Sequence, residues 1–574
     1  MKKKINDLSK AKFVTVILLV ITSLGSVFWL LLPGFYEPQD LHHIADIYQM
    51  YRAIISGQIP PRWGPDFLYS YGYPLFNFYY AGPFYLGAFF YFISGNLRAS
   101  YEMVFVTGVL VGTIGLYLFL RKHFSKIASF TAAVLFTYTP YKAVQIYVRG
   151  AMGEFMSLSL MPILLYVSEK FNSEGKRKWF FLSVIVSSLV ILSHNYFWLL
   201  IFGFSGIYFA IGSFLYKNAR LLRNFLVEVI FAFGITAYWW LPAFLEQRLL
   251  KVQTPFPLID HFPFIKQLII PSWGYGASLW GPMDGMSFQL GIVNILVIIS
   301  AFIIFIAVKK KKHHSLFIWS VGAIILCLFF MNIRSYGIWK MVPFHNLFQF
   351  PWRLLSFTGI FSSILAAVLI DTLLTSTKKA VLGRFASLII IVASISLTFG
   401  YFKPSRMFYK SDNDYLNRMF ANRTTDGYKN EADKEYLNWS EDYLLLPYGM
   451  DEKPDGLPTA KFMSEDDGIA VKSIREISPV SWEADIDVKE PGKLNFYVLN
   501  FPGWVIQVNG KKADLSSGEA GQVVFNVNKG DTEIKAYWTE NRLRKLSDTI
   551  SLFSVILLII YLYKNASPVK NKSL

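Results

Sequence analysis

Apolar runs of roughly 17–23 residues recur along the chain, each long enough to cross about 30 Å of hydrocarbon. They predict membrane-spanning helices near 13–32, 101–120, 127–147, 152–169, 179–195, 197–215, 224–243, 286–308, 315–332, 354–375, 383–402 and 546–563. A further apolar run, PLFNFYYAGPFYLGAFFYFISG at 74–95, is rich in Tyr, Phe and Gly. It reads as an interfacial or re-entrant segment, because a crossing there would invert the later basic clusters. After residue 403 the pattern changes. Residues up to about 465 are polar and loop-rich. VSWEADIDV, KLNFYVLN, WVIQVNGKKA, GQVVFNV and DTEIKAYW then alternate with period two, separated by Pro491-Gly492, Asn509-Gly510 and Lys529-Gly530. Alternation between turn signals predicts short strands, and Asn-Gly predicts a tight hairpin. The whole reads as an α-helical polytopic membrane protein of about twelve spans. Residues 1–402 form its membrane domain, 403–545 a β-sandwich-like module, and 546–574 a final helix and tail.

Composition agrees with that class. Of 574 residues, 53% are hydrophobic and 17% charged, against about 25% charged in soluble domains. The single cysteine, Cys327, lies in an apolar run, so neither an internal disulfide nor a cysteine metal cluster is available. The net charge of +17 comes from clusters between the spans. These are Lys2–Lys4 with Lys10 and Lys12, Arg121-Lys122 with Lys126, Lys176–Lys178, Lys217 with Arg220 and Arg223, Lys309–Lys312, Lys378-Lys379 with Arg384, and Lys564 with Lys570 and Lys572. Placing all of them in the cytoplasm obeys the positive-inside bias. Both termini are then cytoplasmic and the 403–545 module is extracellular. The charge serves topology, so no nucleic-acid partner is implied. The first span has no A-x-A cleavage site and runs straight into a polar loop, as a retained helix does.

This topology gathers the unusual polar residues on the outer face. The first outer loop, 33–100, carries Glu37, Asp40, His42, His43, Asp46, Arg52, Arg62 and Trp63 among many aromatics. The second holds Arg149 and Glu154, and His194 and Asn195 end the fifth span. FQFPWR, ending at Arg353, precedes a later span. Ionisable groups at membrane depth are costly and mark functional paths. Phosphate loops, HExxH and GxSxG are all missing from the sequence.

The run D-L-H-H…G-Q-I-P-P-R-W-G-P-D…Y-G-Y-P-L-F-N-F-Y resembles the opening of bacterial membrane proteins called 6-pyruvoyl-tetrahydropterin synthase-related. Y-V-R-G-A-M-G-E at 147–154, S-H-N at 193–195 and F-P-W-R at 350–353 fit the same pattern, and F-P-G-W-V-I-Q-V-N-G-K at 501–511 resembles the outer domain of YfhO-type proteins. The zinc-binding histidine cluster of a soluble pterin synthase is not in evidence. The layout also resembles type C (GT-C) glycosyltransferases, whose first outer loop supplies a catalytic acid and whose donor is a sugar on a polyprenyl phosphate. The resemblance implies Asp40 as the first-loop acid, with Glu37 as its rival, and Glu154 as a second acid. It implies cell-envelope polymers such as lipoteichoic acid, or a lipid, as acceptor.

Sugar transfer needs a base for the acceptor hydroxyl and cations for the leaving phosphate. A carboxylate serves as the base, and arginine forks match phosphate oxygens. His42, His43, Arg52, Arg62, Trp63, Arg149, His194, Asn195 and Arg353 are the expected substrate-binding set. Trp63, Tyr69, Tyr71 and Tyr73 offer stacking faces for sugar or prenyl. A divalent metal, Mg or Mn, is compatible, with Asp40 and His43 as its ligands. Two other classes stay open: a transporter or flippase of lipid-linked oligosaccharides, and a non-enzymatic envelope assembly protein. A transporter favours inverted repeats and midplane charges, whereas here the charges lie on one face.

Overall fold

The computed structural model describes residues 2–251, 257–307, 313–342, 348–375, 379–420, 445–448, 450, 453–454 and 456–564. Lys309–Lys312, His345, Lys378, Lys570, Lys572 and most of the polar stretch leading to residue 465 lie outside the described residues.

The helices of the first half are α1 (Lys2–Ser26), α2 (His43–Ile55), α3 (Leu75–Phe78), α4 (Gly82–Ser94), α5 (Leu97–Leu120), α6 (Lys126–Thr137), α7 (Pro140–Ala143), α8 (Met152–Glu174), α9 (Arg177–Ser193) and α10 (Phe197–Leu215). The second half adds α11 (Arg220–Ile235), α12 (Ala237–Leu245), α13 (Ile265–Ile269), α14 (Ile292–Ala307), α15 (His314–Phe330), α16 (Tyr336–Met341), α17 (Leu355–Thr375), α18 (Ala380–Thr398), α19 (Asp412–Met419) and α20 (Arg542–Lys564). α17 is the axis of the bundle. It is buried from Leu355 to Ile370 without a break, and α6, α14, α15 and α18 pack around it. Its hydroxyls bond back to their own helix, as Ser363 Oγ does to the Gly359 carbonyl at 2.8 Å, or across it, as Asn294 Nδ2 does to Ser362 Oγ at 2.7 Å. A helix carrying that many hydroxyls is therefore surrounded by protein.

Hydropathy predicts twelve spans. Five helices among the described residues are long and apolar enough to cross a membrane, or up to seven if two bent pairs each count as one span. Part of the difference has local causes. The expected span 224–243 bends by 73° between α11 and α12, and α15 turns by 83° towards α16. The expected span 127–147 is broken. α6 stops at Thr137, Thr139 is extended, and Pro140 opens α7. Proline disfavours helix at the residue before it and is itself suited to a helix start. A π turn, Val144–Arg149, follows and ends on Gly150 at φ +66°. A Cβ on Gly150 would lie 2.5 Å from Tyr101 Oη and 2.7 Å from Pro38 Cγ, so this close turn needs glycine. The 74–95 run forms α3 and the 13-residue α4, about 20 Å of helix, short of the hydrocarbon thickness. It packs on α2 and α5.

The C-terminal module is two antiparallel sheets. Its strands are β1 (Phe462–Met463), β2 (Ile469–Ser478), β3 (Ser481–Val488), β4 (Gly492–Leu499), β5 (Trp504–Val508), β6 (Lys511–Lys512), β7 (Ser516–Ser517), β8 (Gln522–Val527) and β9 (Glu533–Trp538). One sheet has the order β1-β4-β8-β7 and the other β2-β3-β9-β5-β6. Leu494, Phe496 and Val498 of β4, Val523, Phe525 and Val527 of β8, and Trp504, Ile506 and Val508 of β5 alternate inward, as period two requires. Asn509 and Gly510, both at positive φ, close the β5–β6 hairpin. β2 is an edge strand with few buried positions, so its sequence lacks clean alternation and the hydropathy pattern passes over it.

Candidate functional site

Two backbone hydrogen bonds bring the first loop onto the π turn. Gln39 N donates to the Val148 carbonyl at 3.0 Å and Asp40 N to the Arg149 carbonyl at 2.8 Å. Just beyond Gly150, α8 begins, and Glu154 lies in its first turn, where the helix dipole favours a negative charge. Glu154 is buried. Its Oε1 accepts from Tyr141 Oη at 2.8 Å, Gln145 Nε2 at 3.0 Å and Ser356 Oγ at 3.0 Å. Its Oε2 takes Arg149 Nη1 at 2.6 Å and lies 3.3 Å from Arg353 Nε. The helix break at Pro140 makes this possible, because it turns Tyr141, Gln145 and Arg149 towards α8.

From Glu154 the contacts close into a ring. The Arg353 guanidinium sits 5.7 Å from the Tyr196 ring centroid and 4.9 Å from that of Phe350. Tyr196 meets His194 edge-on at 4.6 Å, and His194 stacks on Tyr80 at 5.4 Å. Tyr80 Oη is 3.1 Å from His43 Nε2 and 3.3 Å from the Gly153 amide. His43 feels the charges of both Asp40 and Arg149, which returns the path to its start. A Cβ on Gly153 would lie 2.4 Å from Tyr80 Cζ, so a glycine is what lets the tyrosine ring reach this position. The ring unites Asp40, His43, Arg149, Glu154, His194 and Arg353 from stretches up to about 300 residues apart.

The two acids of the ring differ. Every Glu154 oxygen has partners, and two of these are arginines. The Asp40 carboxylate is half-buried and makes no hydrogen bond or ion pair among the described residues. It nevertheless lies close enough to His43, Arg149 and Arg353 to act on their charge. Burial holds the His43 imidazole down to about 4, with Asp40 opposing and Arg149 adding to the effect. Burial likewise lowers His42 to about 3, helped by His43 and opposed by Asp46. Both imidazoles are therefore neutral at pH 7 and able to accept as well as donate.

The remaining expected residues lie apart from the ring. Glu37 faces Lys410 at 3.6 Å. Arg52 pairs with Asp66 at 3.3 Å, and Gln49 Nε2 holds the same carboxylate at 2.6 Å. Asn195 Nδ2 bonds the Phe78 carbonyl at 3.1 Å, bracing the loop that leads to Tyr80. Arg62 is fully buried against the C-terminal segment, 3.2 Å from Glu540 and 3.0 Å from Asp548, and it donates to the Tyr238 carbonyl at 2.6 Å. Trp63 is enclosed by Trp504 at 5.5 Å and Trp538 at 4.6 Å. Tyr71 packs on Tyr497, and Tyr73 Oη donates to the Leu445 carbonyl at 2.7 Å. These aromatics, expected to stack on a ligand, pack instead where the first loop meets the C-terminal module.

The family described as 6-pyruvoyl-tetrahydropterin synthase related domain, membrane protein, matches residues 76–404. The chain belongs to this family. No curated protein matches it. Among solved structures, the apo Archaeoglobus fulgidus oligosaccharyltransferase is similar at 14% identity and a TM-score of 0.43, over 74% of this chain and 59% of that one. The chain thus spans somewhat over half the length of that relative. The arabinofuranosyltransferase AftD from Mycobacteria is similar at 14% identity and a TM-score of 0.43, over 69% of this chain and 28% of that one. ArnT from Cupriavidus metallidurans, bound to undecaprenyl phosphate, is similar at 12% identity and a TM-score of 0.42, over 68% and 71%.

The family match spans Tyr80, Arg149, Glu154, His194 and Arg353, while Asp40 and His43 precede it. Tyr80, Tyr141, Gln145 and Ser356 escape a reading of the sequence for this family member. Tyr, Gln and Ser inside apolar runs look like ordinary helix residues. The one available signal is Pro140, since a proline inside a predicted span marks a break that a site can use.

Proposed function

We propose that the protein is a membrane glycosyltransferase that moves a sugar from a polyprenyl-phosphate donor to a cell-envelope acceptor, at the outer face. The free carboxylate of Asp40, beside two arginines anchored on a second, fully engaged acid, carries this reading. Asp40 takes the proton of the acceptor hydroxyl. The acceptor oxygen forms the new bond to the anomeric carbon as the bond from that carbon to the phosphate oxygen breaks, with inversion. Polyprenyl phosphate leaves with the electron pair, and Arg149 and Arg353 face its charge. Glu154 is a positioning residue, because its oxygens are occupied in holding the two guanidinium groups. Glu37, paired with a lysine away from the ring, is the weaker candidate for the base. The orientation adopted puts both termini in the cytoplasm and the 403–545 module outside.

The test is to incubate membranes containing the protein with a labelled polyprenyl-phosphate sugar and to follow label into envelope polymers and lipids. Transfer that depends on Asp40 supports the enzyme. Label that crosses the bilayer still attached to its carrier makes the protein a transporter. Cysteines at Ser173 and Ser473, both exposed, test orientation: an impermeant thiol reagent added outside is expected to label only the second.

A further inference from the structure

We propose that His42, His43 and Asp46 form a binding site for a divalent transition-metal ion, zinc above magnesium. The three side chains come from one turn at the start of α2. His43 Nδ1 is 3.1 Å from Asp46 Oδ2, and His42 Nε2 is 3.9 Å from the same oxygen. The three ligand atoms all lie within 4.8 Å of one another. With metal–ligand bonds of about 2.0–2.1 Å, neighbouring ligands of a tetrahedral ion stand about 3.3 Å apart. His43 Nδ1 and Asp46 Oδ2 already stand near that spacing. The His42 side chain is 13% exposed while Asp46 is fully enclosed, and its Nε2 faces inward, away from solvent.

The chemistry of the donors selects the ion. Two imidazoles and a carboxylate suit zinc and its neighbours, whereas magnesium and calcium require a shell of oxygens. Three protein ligands leave a position open, as in zinc sites that act on a substrate or water. The other nitrogen of His43 is already engaged, with Tyr80 Oη 3.1 Å from Nε2. In the bound state Nε2 carries the proton and donates it to that oxygen, which fixes the ring and turns Nδ1 to the metal. Asp40, expected from the sequence to share a metal with His43, stands outside this group of three. The proposal is independent of sugar transfer, since it is read by metal content alone.

The full chain, purified in detergent and stripped with a chelator, is dialysed against zinc chloride, or against cobalt chloride as a spectroscopic probe. The expected result is about one zinc per chain, visible cobalt absorption, and a rise in melting temperature on zinc addition. His42→Ala and Asp46→Asn are expected to lose all three, and Tyr80→Phe to weaken affinity about 10–100-fold. Asp40→Asn is expected to keep full stoichiometry. If Asp46→Asn fails to fold, His42→Ala decides, because its side chain reaches the surface. Wild-type protein that retains no zinc overturns the proposal. So does a well-folded His42→Ala variant that keeps wild-type zinc content and cobalt spectrum, and so does loss of zinc in Asp40→Asn alone.

Discussion

Two buried charge clusters lie where the first loop meets the rest of the molecule, and they are built on opposite plans. In one, Arg62 serves Glu540 and Asp548, while Glu246 accepts from Asn77, Asn541 and Arg544. Each acid there is met by an arginine. It joins α12, the first loop and α20, and holds the C-terminal segment to the membrane domain. In the other, Glu154 is matched by Arg149 and Arg353 while Asp40 is left without a hydrogen bond or ion pair among the described residues. Burying a charge is tolerable when it is paired, and an acid left unengaged is available for chemistry. The comparison separates an arginine that fastens two parts of a fold from one that faces a ligand, although the residue type is the same.

The comparison breaks most sharply at Asp40. Asp40→Asn keeps the shape and removes the base, so transfer is expected to fall about 10²–10⁴-fold, or roughly 3–5 kcal/mol of barrier. Its melting temperature is expected to match the wild type. Full activity in the variant, measured with the labelled donor, would remove Asp40 from the reaction.

Arg62→Met makes the opposite test. It strands Asp548 and leaves Glu540 only Arg544, whose Nε is 3.9 Å away, and leaving buried charges unpaired costs about 3–5 kcal/mol. Arg62 is itself fully enclosed, but both acids keep partial exposure, so the lower end of that range is expected. Thermal unfolding in detergent is expected to show the loss, while activity per folded molecule stays close to wild type. A variant of unchanged stability and lost transfer would place Arg62 among the functional residues.

Arg353→Lys is a finer cut. Lysine keeps the charge but not the planar fork, so it cannot hold Glu154 and a phosphate oxygen together. Donor affinity is expected to drop about 10–150-fold, in line with the ~1.5–3 kcal/mol of a charged hydrogen bond. The check is the donor concentration dependence of transfer, with the maximal rate falling less than the affinity.

A further test concerns pH. Lys461 reaches the first loop, its Nζ donating to the Ser70 carbonyl at 2.6 Å, and burial pushes its ammonium down to about 8. A lysine whose folded value lies below its unfolded value of about 10.4 binds fewer protons when folded across that window. Stability is therefore expected to rise between pH 8 and about 10 and to be insensitive to this group below pH 8. Lys461→Met is expected to flatten the rise, as read by melting temperature across the same range.

The sequence was legible where a single element answers for itself. α5, α10, α17, α18 and α20 declare themselves because a long apolar run has few other uses. β3, β4, β5, β8 and β9 do so because alternation is a local property. The break after α6 was less legible, since a hydropathy window averages over the one residue, Pro140, that changes the path there. Within the candidate site, Asp40, Arg149, Glu154, His194 and Arg353 stood out as costly residues near a membrane. Arg62 stood out for the same reason and Trp63 as a stacking face, but both pack against the C-terminal segment. Nothing in residue type distinguishes a guanidinium that meets Glu540 from one that meets Glu154, and Arg62 lies hundreds of residues from Glu540.

By itself, then, the sequence determined the membrane class, the alternating strands β3, β4, β5, β8 and β9, and a short roster of costly polar side chains. These follow from local rules of length, period and the expense of charge in hydrocarbon. Only the tertiary structure decided which of those side chains meet. The turn at Gly150 brings Asp40 to Arg149, the kink at Pro140 turns Tyr141 and Gln145 towards Glu154, and the small size of Gly153 admits Tyr80. Each is set by packing, the first and last between segments distant in the chain, and no local pattern records it.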